Sequence, residues 1–230
     1  MSQALLRRCS GAVLDLLLPA KCALCLMAPG PGLCAPCLAA LPTLDDPCPW
    51  CAAGQGRDHC LACGHRGFPH IDSTRCALVY TGACRRLVTR AKAEARPAAV
   101  AACADLMPEP PQDLFDDAVI VPVPPSPGRR PGPHLGTRLA RAVASAAHRP
   151  LRCCLATTRP AAEQHRLGLA ERRDNVRDLF ACRGPAPRRV ILVDDLVTSG
   201  ATATAAASAL AAAGTEHIDL IALARTQRKS

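Results

Sequence analysis

From residue 70 onward, short apolar runs alternate with alanine-rich segments of helical periodicity. The apolar runs predict strands at residues 76–80, 118–121, 190–193 and 218–223, with a weaker candidate at 152–157. The intervening segments predict helices at residues 82–93, 97–107, 136–147 and 202–214. Strands that alternate with helices are typical of parallel sheets. We therefore predict an α/β domain over residues 67–230, with a parallel sheet flanked by helices.

The first 66 residues follow a different pattern. Residues 1–18 carry leucine and valine at helical spacing and predict an amphipathic lead-in helix. Residues 19–66 are dense in Cys, Pro and Gly and contain few long apolar runs. A segment of this size and composition cannot build a sufficient core of its own, so bound metal is expected to replace one.

Eight cysteines in this segment form two modules with identical spacing. Each module contains two CxxC pairs separated by eight residues, and the ligand candidates are Cys22, Cys25, Cys34 and Cys37, then Cys48, Cys51, Cys60 and Cys63. Two CxxC pairs can complete one tetrahedral Zn²⁺ site, so we predict a double zinc ribbon with two structural zinc ions. A redox role for the pairs is the main alternative. The spacing leaves open whether the pairs combine sequentially or interleaved, and whether His59 or His65 replaces a cysteine.

The remaining seven cysteines lack metal-binding spacing and are predicted to be small buried apolar residues rather than nucleophiles: Cys9, Cys76, Cys84, Cys103, Cys153, Cys154 and Cys182. Fifteen cysteines in total would also fit a disulfide-rich secreted protein. However, the apolar run at 12–18 is short, is interrupted by Asp15 and is followed by Pro19 rather than a cleavage site. No segment approaches the ~20 apolar residues that span a bilayer. We expect a cytoplasmic protein with reduced thiols and no membrane insertion.

Charge and aromatic content restrict the possible partners. The formal net charge is +9, which favours an anionic partner such as a phosphorylated substrate or nucleic acid. Aromatic residues make up only 2% of the chain. Few aromatic side chains are therefore available for base stacking, which is a common element of single-strand binding.

Residues 190–202 combine a buried strand, two carboxylates and a hydroxyl-rich turn. Four apolar residues are followed by Asp194 and Asp195, and the turn at residues 198–202 then leads into a helix. In α/β sheets, ligands bind at the carboxyl ends of strands, and a helix N-terminus binds phosphate. The carboxylates can take ribose hydroxyls and the turn a 5′-phosphate, so this segment suits a phosphosugar. An ordinary strand–turn–helix with a capped N-terminus is the alternative.

All thirteen of these positions resemble the signature with which type I phosphoribosyltransferases bind phosphoribosyl pyrophosphate (PRPP). Further shared features are the tandem cysteine modules, Tyr80 with Lys92, Val121-Pro122-Val123-Pro124, and Gln164, Leu167, Arg172 and Asn175 before Phe180. With them, the chain resembles the ComF family of competence-associated phosphoribosyltransferase-like proteins over nearly its full length. The resemblance implies a type I phosphoribosyltransferase domain preceded by a double zinc ribbon.

The resemblance also implies roles for individual residues. Asp194 and Asp195 would hold the ribose 2′- and 3′-hydroxyls. The 5′-phosphate would lie on Thr198, Ser199, Gly200, Ala201 and Thr202. The diphosphate would lie on the turn Pro122, Val123 and Pro124, approached by Arg129 or Arg130, and Arg172 would belong to a flexible loop over residues 158–175. Mg²⁺ is expected on the PRPP oxygens, held mostly by ligand and water.

The implied activity is transfer of a phosphoribosyl group from PRPP to an unidentified acceptor. The alternative is a non-catalytic PRPP-binding or single-stranded-DNA-binding accessory protein of the competence machinery for DNA uptake. A third, weaker possibility is a zinc scaffold for partner docking. One departure from the family concerns the diphosphate and acceptor side, where residues 131–135 replace the usual Arg-Gly-Phe-Asn-Gln and retain only Gly132. No residue can be identified as a general base for the acceptor.

Overall fold

A computed structural model describes residues 20–54, 60–93, 96–110, 117–125, 134–158 and 179–227. The predicted lead-in helix at residues 1–18 lies outside these ranges. So do Arg129, Arg130 and Arg172 of the predicted site, and nearly all of the predicted flexible loop.

The described residues form five helices and six strands, and all but the first helix follow residue 72. The helices are α1 Ala35–Ala39, α2 Gly82–Ala93, α3 Pro97–Asp105, α4 Leu135–Ala146 and α5 Ala201–Ala212. The strands are β1 Ser73–Val79, β2 Val119–Pro122, β3 Leu155–Thr157, β4 Phe180–Cys182, β5 Arg189–Val197 and β6 His217–Arg225. The predicted bounds of α2 are confirmed, and those of the other predicted helices differ by one or two residues.

Four strands form a parallel sheet in the order β1-β6-β5-β2. Leu151 extends the β2 edge by a single parallel bridge to Ile120. β3 and β4 form a separate antiparallel pair, and β4 was not predicted because its three residues are too few to show a period. The prediction of a mixed α/β fold with a parallel sheet flanked by helices is confirmed.

β5 is buried on both faces, since its successive side chains point to opposite sides of the sheet. Ile191 and Val193 belong to a core shared with α2, α3 and α4. Val190 and Leu192 belong to a second core, shared with α5 and the antiparallel pair. The many buried alanines, including four on α5, allow helices to lie close to the sheet.

Each cysteine module contributes to one of these cores. Cys22, Ala23 and Leu24 pack in the core under α2, whereas Cys48 and Cys51 pack in the core on the opposite face. The second module is also hydrogen-bonded to β1, where Thr74 N–H donates to the Pro49 carbonyl oxygen at 2.8 Å. None of the helices in the described ranges is both long and apolar enough to span a membrane.

Candidate functional site: an acidic cleft beside two cysteine clusters

Asp194 and Asp195 lie in the second half of β5, towards the carboxyl end of the sheet. The strand was predicted to end at Val193, but it continues to Val197 because Leu196 and Val197 pair with the last residues of β6. On the other side, β2 ends at Pro122, opposite Val193, and Val123 N–H donates to the Val193 carbonyl oxygen at 2.8 Å. Beyond that point no strand of the described residues pairs with this edge of β5, and a cleft opens there.

This cleft has a volume of about 150 Å³ and is lined by both carboxylates. It collects side chains from β5, from the loops after β2 and before α4, and from the ends of α2 and α5. The other residues that line it are Lys92, Val123, Pro124, Pro125, His134, Leu196 and Thr202. The structure therefore brings the predicted acids, two residues of the predicted diphosphate turn and one residue of the predicted phosphate loop to one place.

Lys92 contributes a positive charge to the cleft. It lies near the end of α2, and its Nζ is 2.7 Å from Asp195 Oδ1. The lysine side chain is 24% exposed and the aspartate side chain 6% exposed, so the pair is largely shielded from solvent. By sequence alone Lys92 is a helix-surface lysine, and only its place in the family pattern singled it out.

Asp194 is shaped by burial and by its neighbour. Its Oδ1 accepts a hydrogen bond from Asp195 N–H at 2.7 Å. Burial, together with the charge of Asp195, raises the pKa of Asp194 to about 7. A carboxyl group that keeps its proton up to neutral pH limits the negative charge that accumulates in the cleft.

The predicted phosphate loop is divided between two sides. Thr202 faces the acidic cleft, whereas Thr198 and Ser199 line a second cavity of about 210 Å³ next to the second cysteine module. Gly200 is the N-cap of α5 at a φ of +82°, and Ala201 N–H donates to Ser199 Oγ at 3.3 Å. The left-handed turn at Gly200 redirects the chain, which explains why neighbouring hydroxyl residues face different spaces.

The cysteines form two separate groups, and the pairing is sequential. In each group the four sulfur atoms lie within 4.8 Å of one another, and the groups are Cys22, Cys25, Cys34 and Cys37, and Cys48, Cys51, Cys60 and Cys63. The Cys48–Cys63 sulfur distance is 3.8 Å and the Cys51–Cys60 distance is 3.6 Å. Four sulfurs at ~2.3 Å from one tetrahedral ion are separated by about 3.8 Å, so this spacing is compatible with zinc. His65 belongs to neither group and lies edge-on against Trp50, with ring centroids 5.1 Å apart.

The first group shows how backbone geometry supports thiolates. Burial alone would raise the pKa of Cys22, but hydrogen bonds from backbone N–H groups outweigh it and lower the pKa to about 6. The donors are Cys34 N–H at 3.4 Å and Leu24 N–H at 3.5 Å. Such N–H···S bonds stabilise the thiolate form that binds metal.

Four of the six described cysteines outside the two groups are buried, and Cys182 is partly buried. Burial raises the pKa of Cys76 and Cys103 to about 12 and that of Cys84 to about 11, as expected for small core residues. The prediction of burial is wrong for Cys153, which is exposed. Cys153 lies between the single bridge at Leu151 and the start of β3 at Leu155. Cys9 lies outside the described residues.

Comparison of the chain with protein-family models and with curated proteins finds no match.

Proposed function

We propose that this protein binds PRPP with Mg²⁺ in the acidic cleft and transfers its phosphoribosyl group to an acceptor. One observation carries the proposal. Asp194, Asp195 and Thr202 line the same cleft as Val123 and Pro124, at the carboxyl end of a parallel sheet. This is where α/β proteins bind phosphorylated ligands. The family resemblance of the sequence points to the same residues.

A buried acceptor atom supports the ribose side of the proposal. Asp195 Oδ2 is buried and has no hydrogen-bond partner among the described residues. A ribose hydroxyl would supply the missing donor. The carboxylate oxygens also fit Mg²⁺, which takes one or two carboxylates and keeps several waters or ligand oxygens. When bound, Mg²⁺ would neutralise charge on the diphosphate.

In this reaction the bond between the anomeric carbon and the diphosphate oxygen breaks, and diphosphate leaves with the electron pair. The acceptor nucleophile forms the new bond to that carbon and gives its proton to solvent or to a base of the acceptor site. Asp194 and Asp195 hold the ribose and face the positive charge that develops on the ring. Lys92 lines the same cleft, so its charge can offset negative charge on the bound ligand.

The two cysteine groups would each hold one Zn²⁺ in a structural role. Four thiolates close the coordination sphere and leave no open position for a substrate. We therefore propose that the chain combines a double zinc ribbon with a type I phosphoribosyltransferase domain. The two zinc modules stabilise the sheet that carries the cleft.

The test is calorimetric titration with PRPP, with and without Mg²⁺. We compare the wild type with Asp194→Asn/Asp195→Asn and with Glu109→Gln, which changes an exposed carboxylate outside the cleft. Binding that needs Mg²⁺, disappears in the double variant and persists in Glu109→Gln supports the proposal. Absence of binding to the wild type rejects it.

Binding without diphosphate release in a screen of purine, pyrimidine and amine acceptors would instead favour the non-catalytic accessory role. In that case a salt-dependent affinity for single-stranded DNA becomes the next measurement, because counterion release gives such binding a steep dependence on salt.

A further inference from the structure

Arg225 connects the second cysteine group to the predicted phosphate loop. This arginine is the last residue of β6 and is only 7% exposed. Its Nε donates to the Cys51 carbonyl oxygen at 2.9 Å. Its Nη1 donates to the Val197 carbonyl oxygen at 3.1 Å and also to that of Thr198. One guanidinium therefore holds a metal-ligand residue and the first part of the loop at the same time.

The charge of Arg225 fits this position. Among the described residues no carboxylate forms an ion pair with it. A divalent ion with four thiolates has a net charge of about −2, and such a centre beside Cys51 offsets the cost of burying the arginine cation. The arginine in turn belongs to the outer shell of hydrogen bonds that tunes and orients metal ligands.

Phe68 holds the same loop from a second direction. The Arg225 guanidinium lies over the Phe68 ring at 5.6 Å from its centroid, within the range of cation–π attraction. The ring also fills the space in front of Gly200, where an added Cβ would overlap it. Phe68 follows Cys63 by five residues, so the second module places both contacts.

The carbonyl contacts determine which way the loop amides point. Across a trans peptide plane the C=O and the following N–H are antiparallel. When Arg225 holds the carbonyl oxygens of Val197 and Thr198, the N–H groups of Thr198 and Ser199 are directed away from it. Thr226 N–H also donates to the Val197 carbonyl oxygen, at 3.0 Å, and would still hold the first of these peptide planes without the arginine. Loss of the arginine would leave the second plane, between Thr198 and Ser199, free to rotate, and a phosphate site built on amides needs fixed donors.

We infer that Arg225 is a positioning residue that makes the order of the predicted phosphate loop, residues 198–202, depend on metal in the Cys48–Cys63 group. The role of that loop in PRPP binding rests on the proposed function. The order of the loop itself does not, and it can be measured without ligand.

Arg90 provides a matched control. It docks the first cysteine group on α2 by donating to the backbone carbonyl oxygens of Ala23, at 3.2 Å, and of Leu24. It thus makes the same kind of contact with the other group, and it lines neither cavity beside the loop.

The experiment is hydrogen exchange of the amides of residues 198–202 in the zinc-loaded full chain. We expect exchange to accelerate about tenfold or more in Arg225→Met, because hydrogen bonds from a charged group that hold the segment are lost. It should be partly restored in Arg225→Lys and stay unchanged in Arg90→Met. Zinc removal by a chelator should accelerate exchange in the wild type and add little in Arg225→Met. If PRPP binds, its Kd should be higher for Arg225→Met than for the wild type and unchanged for Arg90→Met.

Unchanged exchange at residues 198–202 in a folded Arg225→Met overturns the inference, whatever PRPP does. Equal acceleration in Arg90→Met would also overturn it, because the effect would then be general loosening. Should Arg225→Met not fold, Arg225→Lys and Phe68→Leu carry the test, and unchanged exchange in both rejects the coupling. Normal coupling without PRPP binding would reject only the proposed function.

Discussion

Lys92 Nζ lies 2.7 Å from Asp195 Oδ1, across 103 residues of sequence. The contact joins the end of α2 to β5 and places a cation in the lining of the acidic cleft. It is a polar link between α2 and the strand that carries both predicted ribose-binding acids.

Replacing Lys92 by methionine should destabilise the protein by about 2 kcal/mol at pH 8, because it leaves a buried carboxylate without its counter-ion. Chemical denaturation measures the change. Arg86→Met, on the exposed face of the same helix, should stay within about 0.5 kcal/mol of the wild type. The double variant Lys92→Met/Asp195→Asn should recover most of the loss, and additive losses would show that the pair is not coupled.

Asp194→Asn should stabilise the protein above neutral pH. The pKa of Asp194 is raised from 3.8 to about 7, so between these values the folded state binds more protons than the unfolded state. Wild-type stability therefore falls as the pH rises through this window. Asparagine keeps an acceptor for Asp195 N–H and removes the charge.

Denaturation midpoints at pH 5 and pH 8 test this expectation. The variant should gain on the order of 2 kcal/mol over the wild type between these two pH values. Glu109→Gln changes an exposed carboxylate. Its stability relative to the wild type should be the same at both pH values. If the difference in stability between Asp194→Asn and the wild type is the same at pH 5 and pH 8, the raised pKa of Asp194 is contradicted.

Gly200→Ala should be more destabilising than Gly184→Ala. Both glycines have positive φ, +82° and +75°, so alanine is strained at either position. Only at Gly200 would the new methyl group also overlap a side chain, the ring of Phe68. We expect a loss of about 1 kcal/mol at Gly184 and about 3 kcal/mol at Gly200, measured by thermal or chemical denaturation. Phe68→Leu combined with Gly200→Ala should relieve part of the excess, and equal losses at the two glycines would argue against tight packing on the loop.

The purified chain should contain two zinc ions, one for each cysteine group. Native mass spectrometry and metal analysis should show loss of one ion in Cys51→Ser and retention of both in Cys153→Ser, which changes an exposed cysteine outside the groups. Because structural zinc contributes folding free energy directly, chelation should also lower the thermal midpoint. A single ion in the wild type would contradict the prediction of two zinc sites.

Local patterns in the sequence were sufficient for much of this protein. The alternation of apolar runs and alanine-rich segments predicted the parallel α/β sheet, since side-chain period and burial are local properties of strands and helices. The CxxC spacing predicted two four-cysteine groups, because a knuckle is built from residues close in sequence. Asp194 and Asp195 were recognised as site candidates because they directly follow a run of four apolar residues in the sequence.

Contacts between distant elements were decided only by the tertiary structure. The strand order β1-β6-β5-β2 brings Arg225 to Cys51, across 174 residues, and it also brings Phe68 to Gly200. No local period encodes which strands become neighbours, because that choice depends on how the whole core packs. The ion pair of Lys92 and the division of the predicted phosphate loop between two cavities also follow from this packing. The sequential grouping of the cysteines likewise became visible only in the structure.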